Sequence, residues 1–163
     1  MSNSNHKFCG LWHDRVFTNK TFENISVNAT INNKFSHCTF INASIFSIID
    51  CKFNHCTFID ADFHKGEFDN CRFTSCKFIN SNFKKTEITD AIFKSSTFNK
   101  SEFLETDLTN CKLHDTNFMG ENMDVLTMFI SNSTFLNNEK CSHIQSHADL
   151  TSEAFEKILF NFT

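Results

Sequence analysis

Five carboxylates, Glu67, Asp69, Glu87, Asp90 and Asp107, recur at spacings near twenty residues, in segments 66–70, 86–90 and 106–110 that hold no lysine or arginine. Gathered on one surface, such groups offer negative charge to a cationic partner. Spread over three stacked coils, roughly 14 Å, they supply one charge per about 3 Å of axis, against one per about 3.4 Å along a DNA strand. The match is local, because the formal net charge of the whole chain is only −4. A solvated face on an acidic protein is the plainer reading of charge alone.

Other chemistries find less support. The chain has eight cysteines, and six of them (Cys38, Cys51, Cys56, Cys71, Cys76 and Cys111) share positions with Ala, Ser and Thr. That is how cysteine behaves as a small hydrophobe in a reducing compartment. No CxxC pair occurs, so neither a zinc site nor any other metal or cofactor is expected. Histidines stand at His55, His64, His114, His143 and His147, without a nucleophile spaced to work with them. An elongated rod offers no pocket, so an enzyme is not expected.

The elements that position the carboxylates follow from a second periodicity. Every fifth residue from Ile48 to Met128 is bulky and apolar, seventeen positions in succession, eleven of them phenylalanine. Two residues before each, from Cys51 to Thr116, stands a small residue. A period of five suits neither an α-helix, where such a stripe spirals round the cylinder, nor a strand, where an odd step alternates faces. It works if the chain turns a corner within each unit, so that every bulky residue returns to a common interior. The result is an all-β solenoid whose coils stack and share backbone hydrogen bonds. The absence of tyrosine agrees with a core that has few partners for a phenol.

Segments such as Ala61-Asp62-Phe63, Ser81-Asn82-Phe83, Thr106-Asp107-Leu108, Thr116-Asn117-Phe118 and Ala148-Asp149-Leu150 resemble the unit of pentapeptide-repeat proteins. The resemblance implies a right-handed quadrilateral β-helix with four pentapeptides per coil. It also implies a role. Family members of the Qnr type, a mycobacterial relative and certain immunity proteins resemble DNA in shape and charge, and act on DNA gyrase or topoisomerase IV. They typically end in a short helix that joins two rods. This chain lacks room for the projecting loops of the Qnr-type members, because the run from Phe53 to Met128 is uninterrupted.

Three segments are expected: irregular residues 1–16, a β-helix over 17–150, and a terminal helix over 151–163. The early register is loose. Phe17 and Phe22 are followed by Val27, Ile31 slips by one, and Phe35, Phe40 and Ile45 resume. Residues 46–50 read as a bulge or short loop at a corner. In the last segment Phe155, Ile158, Leu159 and Phe162 fall on one face of an α-helix. That face serves either as a lid on the last coil or as a lid and a homodimer interface. No stretch is long and apolar enough for a membrane span, and the first residues lack a signal-peptide core, so a cytoplasmic location is expected.

With four units per coil, the outward residues form four columns. One is basic (Lys52, Arg72, Lys94, Lys112), one mildly apolar (Ile59, Ile79), one of mixed sign, and the fourth is the acidic set. Direct nucleic-acid binding by four cations without aromatic neighbours is not expected. The partner expected for the acidic column is a type II topoisomerase, bound at its DNA site. A general interaction scaffold is the alternative.

Overall fold

The computed structural model describes residues 7–119, 128–131 and 133–136. They form parallel strands arranged as a solenoid. Sheet A contains β1 (Lys7–His13), β4 (Ile25–Ile31), β7 (Ser44–Ile49), β10 (Glu67–Asp69), β13 (Glu87–Thr89), β16 (Thr106–Thr109) and β19 (Met128–Ser131). Sheet B contains β2 (Val16–Thr18), β5 (Lys34–Ser36), β8 (Lys52–Asn54), β11 (Arg72–Thr74), β14 (Ile92–Lys94), β17 (Lys112–His114) and β20 (Thr134–Leu136). Sheet C contains β3 (Thr21–Glu23), β6 (Thr39–Ile41), β9 (Thr57–Ile59), β12 (Lys77–Ile79), β15 (Thr97–Asn99) and β18 (Asn117–Met119). The fourth side is a row of single bridges, Ser44 to Asp62 to Asn82 to Glu102.

The five-residue period produces this shape because each unit ends on a left-handed residue. Twenty non-glycine residues have φ near +50°, and twelve of them are Asn or Asp. Those two side chains tolerate the left-handed region best after glycine. Three residues in extended conformation followed by such a corner turn the chain about a quarter circle. The bulky residues then point inward: Phe53, Phe58, Phe63, Phe68 and Phe73 are all essentially inaccessible.

Inside, the rings stack coil upon coil. Under sheet B, Phe35, Phe53, Phe73 and Phe93 lie 4.7–4.8 Å apart with planes within 6° of parallel. Under sheet C, Phe40, Phe58, Phe78 and Phe98 repeat the arrangement at 4.7–4.8 Å. Between columns the rings meet edge to face, as Phe73 and Phe78 do at 5.5 Å and 66°. The small residues tie successive coils together. Thr86 Oγ1 donates to the Phe63 carbonyl at 2.8 Å, Thr106 Oγ1 to that of Phe83 at 2.6 Å, and Cys71 Sγ to that of Ile48 at 3.0 Å. The small register thus accepts Thr, Ser and Cys because each brings a donor to a carbonyl one coil below.

Three expectations need correction. Residues 7–13 are not irregular: they form β1, paired with β4, and Trp12 turns inward to lie 5.0 Å from Phe22 and 5.3 Å from Phe17. Ile31 is not the inward residue of its unit. Thr30 and Asn33 are buried instead. Asn33 is satisfied there: its Nδ2 donates to the Trp12 carbonyl at 2.8 Å and to Thr30 Oγ1 at 2.7 Å, while Oδ1 accepts from the Arg15 amide at 2.6 Å. Finally, residues 46–49 are no loop. They continue β7, because the early coils are shorter: Phe17 pairs with Phe35 and Phe35 with Phe53, eighteen residues apart, whereas Phe53 pairs with Phe73 twenty apart. The two missing residues remove the corner between the fourth side and sheet A, so β4 and β7 run straight across both. The helix expected over 151–163, with Phe155, Ile158, Leu159 and Phe162, lies outside the described residues.

Gly66 stands where the first wide coil meets the last narrow one. A Cβ there would lie 2.6 Å from the Phe46 carbonyl oxygen and 2.8 Å from that of Phe63, both backbone atoms that cannot swing away. Gly66→Ala should lower stability by about 1–3 kcal/mol, read as a reduced urea midpoint. Thr86→Ala, one coil along in the same row, should lose only the hydroxyl bond, about 1 kcal/mol.

Burial pushes the thiols of Cys38, Cys51, Cys71 and Cys111 upward, Cys111 to about 11. A thiol held protonated in the fold ionises first in the unfolded chain, so its stabilising contribution is complete below the ordinary value of 9.0 and is lost as pH climbs toward 11. Urea unfolding at pH 7.5 and 10.5 should show lower stability at the alkaline end. A Cys71→Ala, Cys111→Ala variant should show a smaller alkaline loss.

Candidate functional site

Strand register decides whether the five carboxylates share a face. Glu67 pairs with Glu87 and Glu87 with Asp107, so these three form one row on consecutive strands β10, β13 and β16. Strand spacing sets the rise at about 4.8 Å per carboxylate. Asp69 stands in the next row, in register with Thr89 and Thr109. Asp90 occupies the left-handed corner that ends β13. Four of the five expected residues therefore lie on strands of sheet A, and Asp90 stands at its corner with sheet B.

This side carries no lysine or arginine on its strands from β4 onward among the described residues. The Glu67 and Glu87 side chains are exposed and form no described ion pair. Asp107 accepts a bond from Thr109 Oγ1 at 2.9 Å. Neighbouring cations are engaged elsewhere: Lys84 pairs with Glu102 at 2.7 Å and Lys85 with Glu105 at 3.2 Å, each joining two coils. The row stops at the change in coil width, because Ser47 and Ala29 hold its place on β7 and β4.

The corner between sheets A and B has a different design, which the five-residue pattern did not reveal. Its residues alternate along the rod: Asp14, Asn32, Asp50, Asn70, Asp90, Asn110. Asn70 Nδ2 donates to Asp50 Oδ1 at 2.7 Å, and Asn32 Nδ2 to Asp14 Oδ1 at 2.5 Å. An amide between each pair of carboxylates keeps like charges two rungs apart and supplies Asp14 and Asp50 with a donor. The signal in the sequence was the residue two places beyond each inward one. Beside this corner a groove of about 720 Å³ brings Asp50 and Asp90 together with Lys52 and Arg72. Its mixed charge bounds the acidic face on that side.

The remaining columns also fall in register. Lys34, Lys52 and Arg72 form a basic row on sheet B, continued by Ile92 and Lys112, with Lys94 one row over. On sheet C, Ile41, Ile59 and Ile79 form an aliphatic row. His55 stacks on His37, the same corner residue one coil earlier, at 5.0 Å, and His114 contacts Asp115 at 2.7 Å. No group of three or more His, Cys, Asp or Glu able to hold a metal ion occurs among the described residues.

Residues 46–123 match the sequence model of the pentapeptide repeat region. No curated protein matches the chain. Among solved structures, the chain is similar to Rfr23, a pentapeptide repeat protein from the cyanobacterium Cyanothece 51142, at 8% identity and a TM-score of 0.51, over 67% of this chain and 89% of that one. It also aligns with QnrB1, described as a plasmid-mediated fluoroquinolone resistance protein, at 13% identity and a TM-score of 0.35, over 90% and 96% of the two chains. Identities this low concern the fold and not the activity. The matched segment and the four-sided coil it folds into agree on one conclusion: residues 46–123 of this chain are a pentapeptide repeat region.

Proposed function

We propose that the acidic side of sheet A is a partner-binding face that occupies the DNA site of a type II topoisomerase. The observation that carries this reading is the in-register row Glu67, Glu87, Asp107, with no cation on its own strands. Carboxylates in line along the rod, one per about 4.8 Å against one per about 3.4 Å on a DNA strand, present negative charge to a cationic groove and offer no scissile bond. Competition with DNA follows, and it weakens as salt screens the charges. The pentapeptide repeat region over residues 46–123 supports an interaction role. The second reading, a general scaffold, is favoured by the aliphatic row Ile41, Ile59, Ile79, which suits an uncharged partner.

The two readings separate in a supercoiling assay with purified gyrase, with and without a fluoroquinolone, titrated with this protein. The parent chain should inhibit supercoiling or reduce drug-dependent cleavage. Combined Glu67→Lys, Glu87→Lys and Asp107→Lys should raise the half-effective concentration at least about tenfold, a loss of about 1.4 kcal/mol, with the circular dichroism spectrum unchanged. Equal potency of parent and variant overturns the assignment of the face. No effect of the parent on either readout leaves the scaffold reading.

The same row should cost stability. Like charges directly opposite on neighbouring strands are unfavourable by about 0.2–1 kcal/mol. Glu87→Gln, in the middle, should therefore raise the urea midpoint while weakening gyrase binding. A lowered midpoint would show that Glu87 serves the fold instead.

A further inference from the structure

The N-terminal end of the rod differs from its flanks. β1 is the outermost strand of sheet A, and no described strand pairs with its outer side. It has seven residues, while β2 and β3, which share this end, have three each. Short length and charge are the usual protections of a free edge. β1 is longer, its one lysine, Lys7, stands at its start, and it is bulged around Gly10, so its edge is only partly protected. Three of the four large hydrophobic side chains exposed among the described residues cluster at this end: Phe8 at 67%, Leu11 at 56% and Val16 at 72%. Behind them Phe17 and Phe22 are only partly buried, with Trp12 resting on both.

An edge with no partner among the described residues accepts an extended strand, and the apolar rim accepts an apolar one. A second copy of the same end satisfies both. Antiparallel pairing of two identical strands is the two-fold solution, in which each contact occurs twice. Charge fits this arrangement as well. Lys7 begins β1 and Asp14 directly follows it, both exposed. Reversal of one strand against the other brings Lys7 toward Asp14 of the partner subunit, and the symmetric pair forms at the opposite end. We propose that the chain dimerises head to head through β1, about a two-fold axis near Gly10. The strand ladder then continues from β1 of one copy into β1 of the other. The inference stands apart from the choice of topoisomerase as partner.

Sedimentation or light scattering on the full chain at micromolar concentration should give twice the 18.9 kDa chain mass. Leu11→Lys should return the mass to that of one chain, while Leu159→Lys should leave the dimer intact. Hydrogen exchange of the unsubstituted protein gives a readout independent of any folding defect. Amides of β1 should exchange at least about tenfold more slowly in concentrated than in dilute solution, a gap of about 1.4 kcal/mol. A monomer at all concentrations overturns the proposal. So does a dimer lost on Leu159→Lys and kept on Leu11→Lys, or β1 exchange that does not depend on concentration.

Discussion

Every feature of this molecule depends on one constraint: parallel strands stacked in register, so that each residue lies directly above its equivalent one coil earlier. The stacking is enforced from within by phenylalanine rings at 4.7–4.8 Å, the same distance that separates hydrogen-bonded strands. Ring thickness and strand spacing agree closely enough for both to be satisfied at once. Parallel ring contacts add about 0.5–1.5 kcal/mol each beyond burial, and edge-to-face contacts between columns prevent one column from sliding past another. A leucine core could fill the volume but would not hold the register as tightly.

Register inside becomes pattern outside. Because position is copied from coil to coil, a residue type repeated every twenty residues becomes a line of side chains along the rod. Two lines show opposite treatments of charge. At the corner between sheets A and B, asparagine separates each aspartate from the next and donates to Asp14 and Asp50. On the face of sheet A, glutamate stacks on glutamate and then aspartate, with no such separation. The chain therefore has a way to dilute stacked negative charge and does not apply it there. That contrast within one molecule is a stronger argument for a binding role than the number of carboxylates, which an acidic protein has in any case.

Much of this was legible in the residues. Phe53 through Phe118 and the small residues two places earlier define the coil. The row Glu67, Glu87 and Asp107 follows from counting in twenties, whereas Asp69 stands a row over and Asp90 at a corner. What was not legible depended on the narrow coils near the start. Thr30 and Asn33 replace the expected apolar and small residues because Asn33 finds three partners, among them the Trp12 carbonyl, which no local pattern announces. Residues 7–13 have no five-residue signature, and their strand exists because β4 offers them an edge. Residues 44–49 contain more apolar side chains than a corner needs, and the straight path of β7 places Ile45 and Ile48 inside with Phe46 outside.

The position of Trp12 has an optical consequence. It is the sole tryptophan in a chain without tyrosine, and it sits against Phe17 and Phe22 at one end of the ring columns. Emission excited beyond the phenylalanine absorption band thus originates from that end alone. Fraying of the first coil would shift the spectrum while the distant coils stayed silent. Ellipticity, by contrast, averages over all the strands, so comparing the two signals during denaturation distinguishes peeling from one end from concerted collapse of the rod.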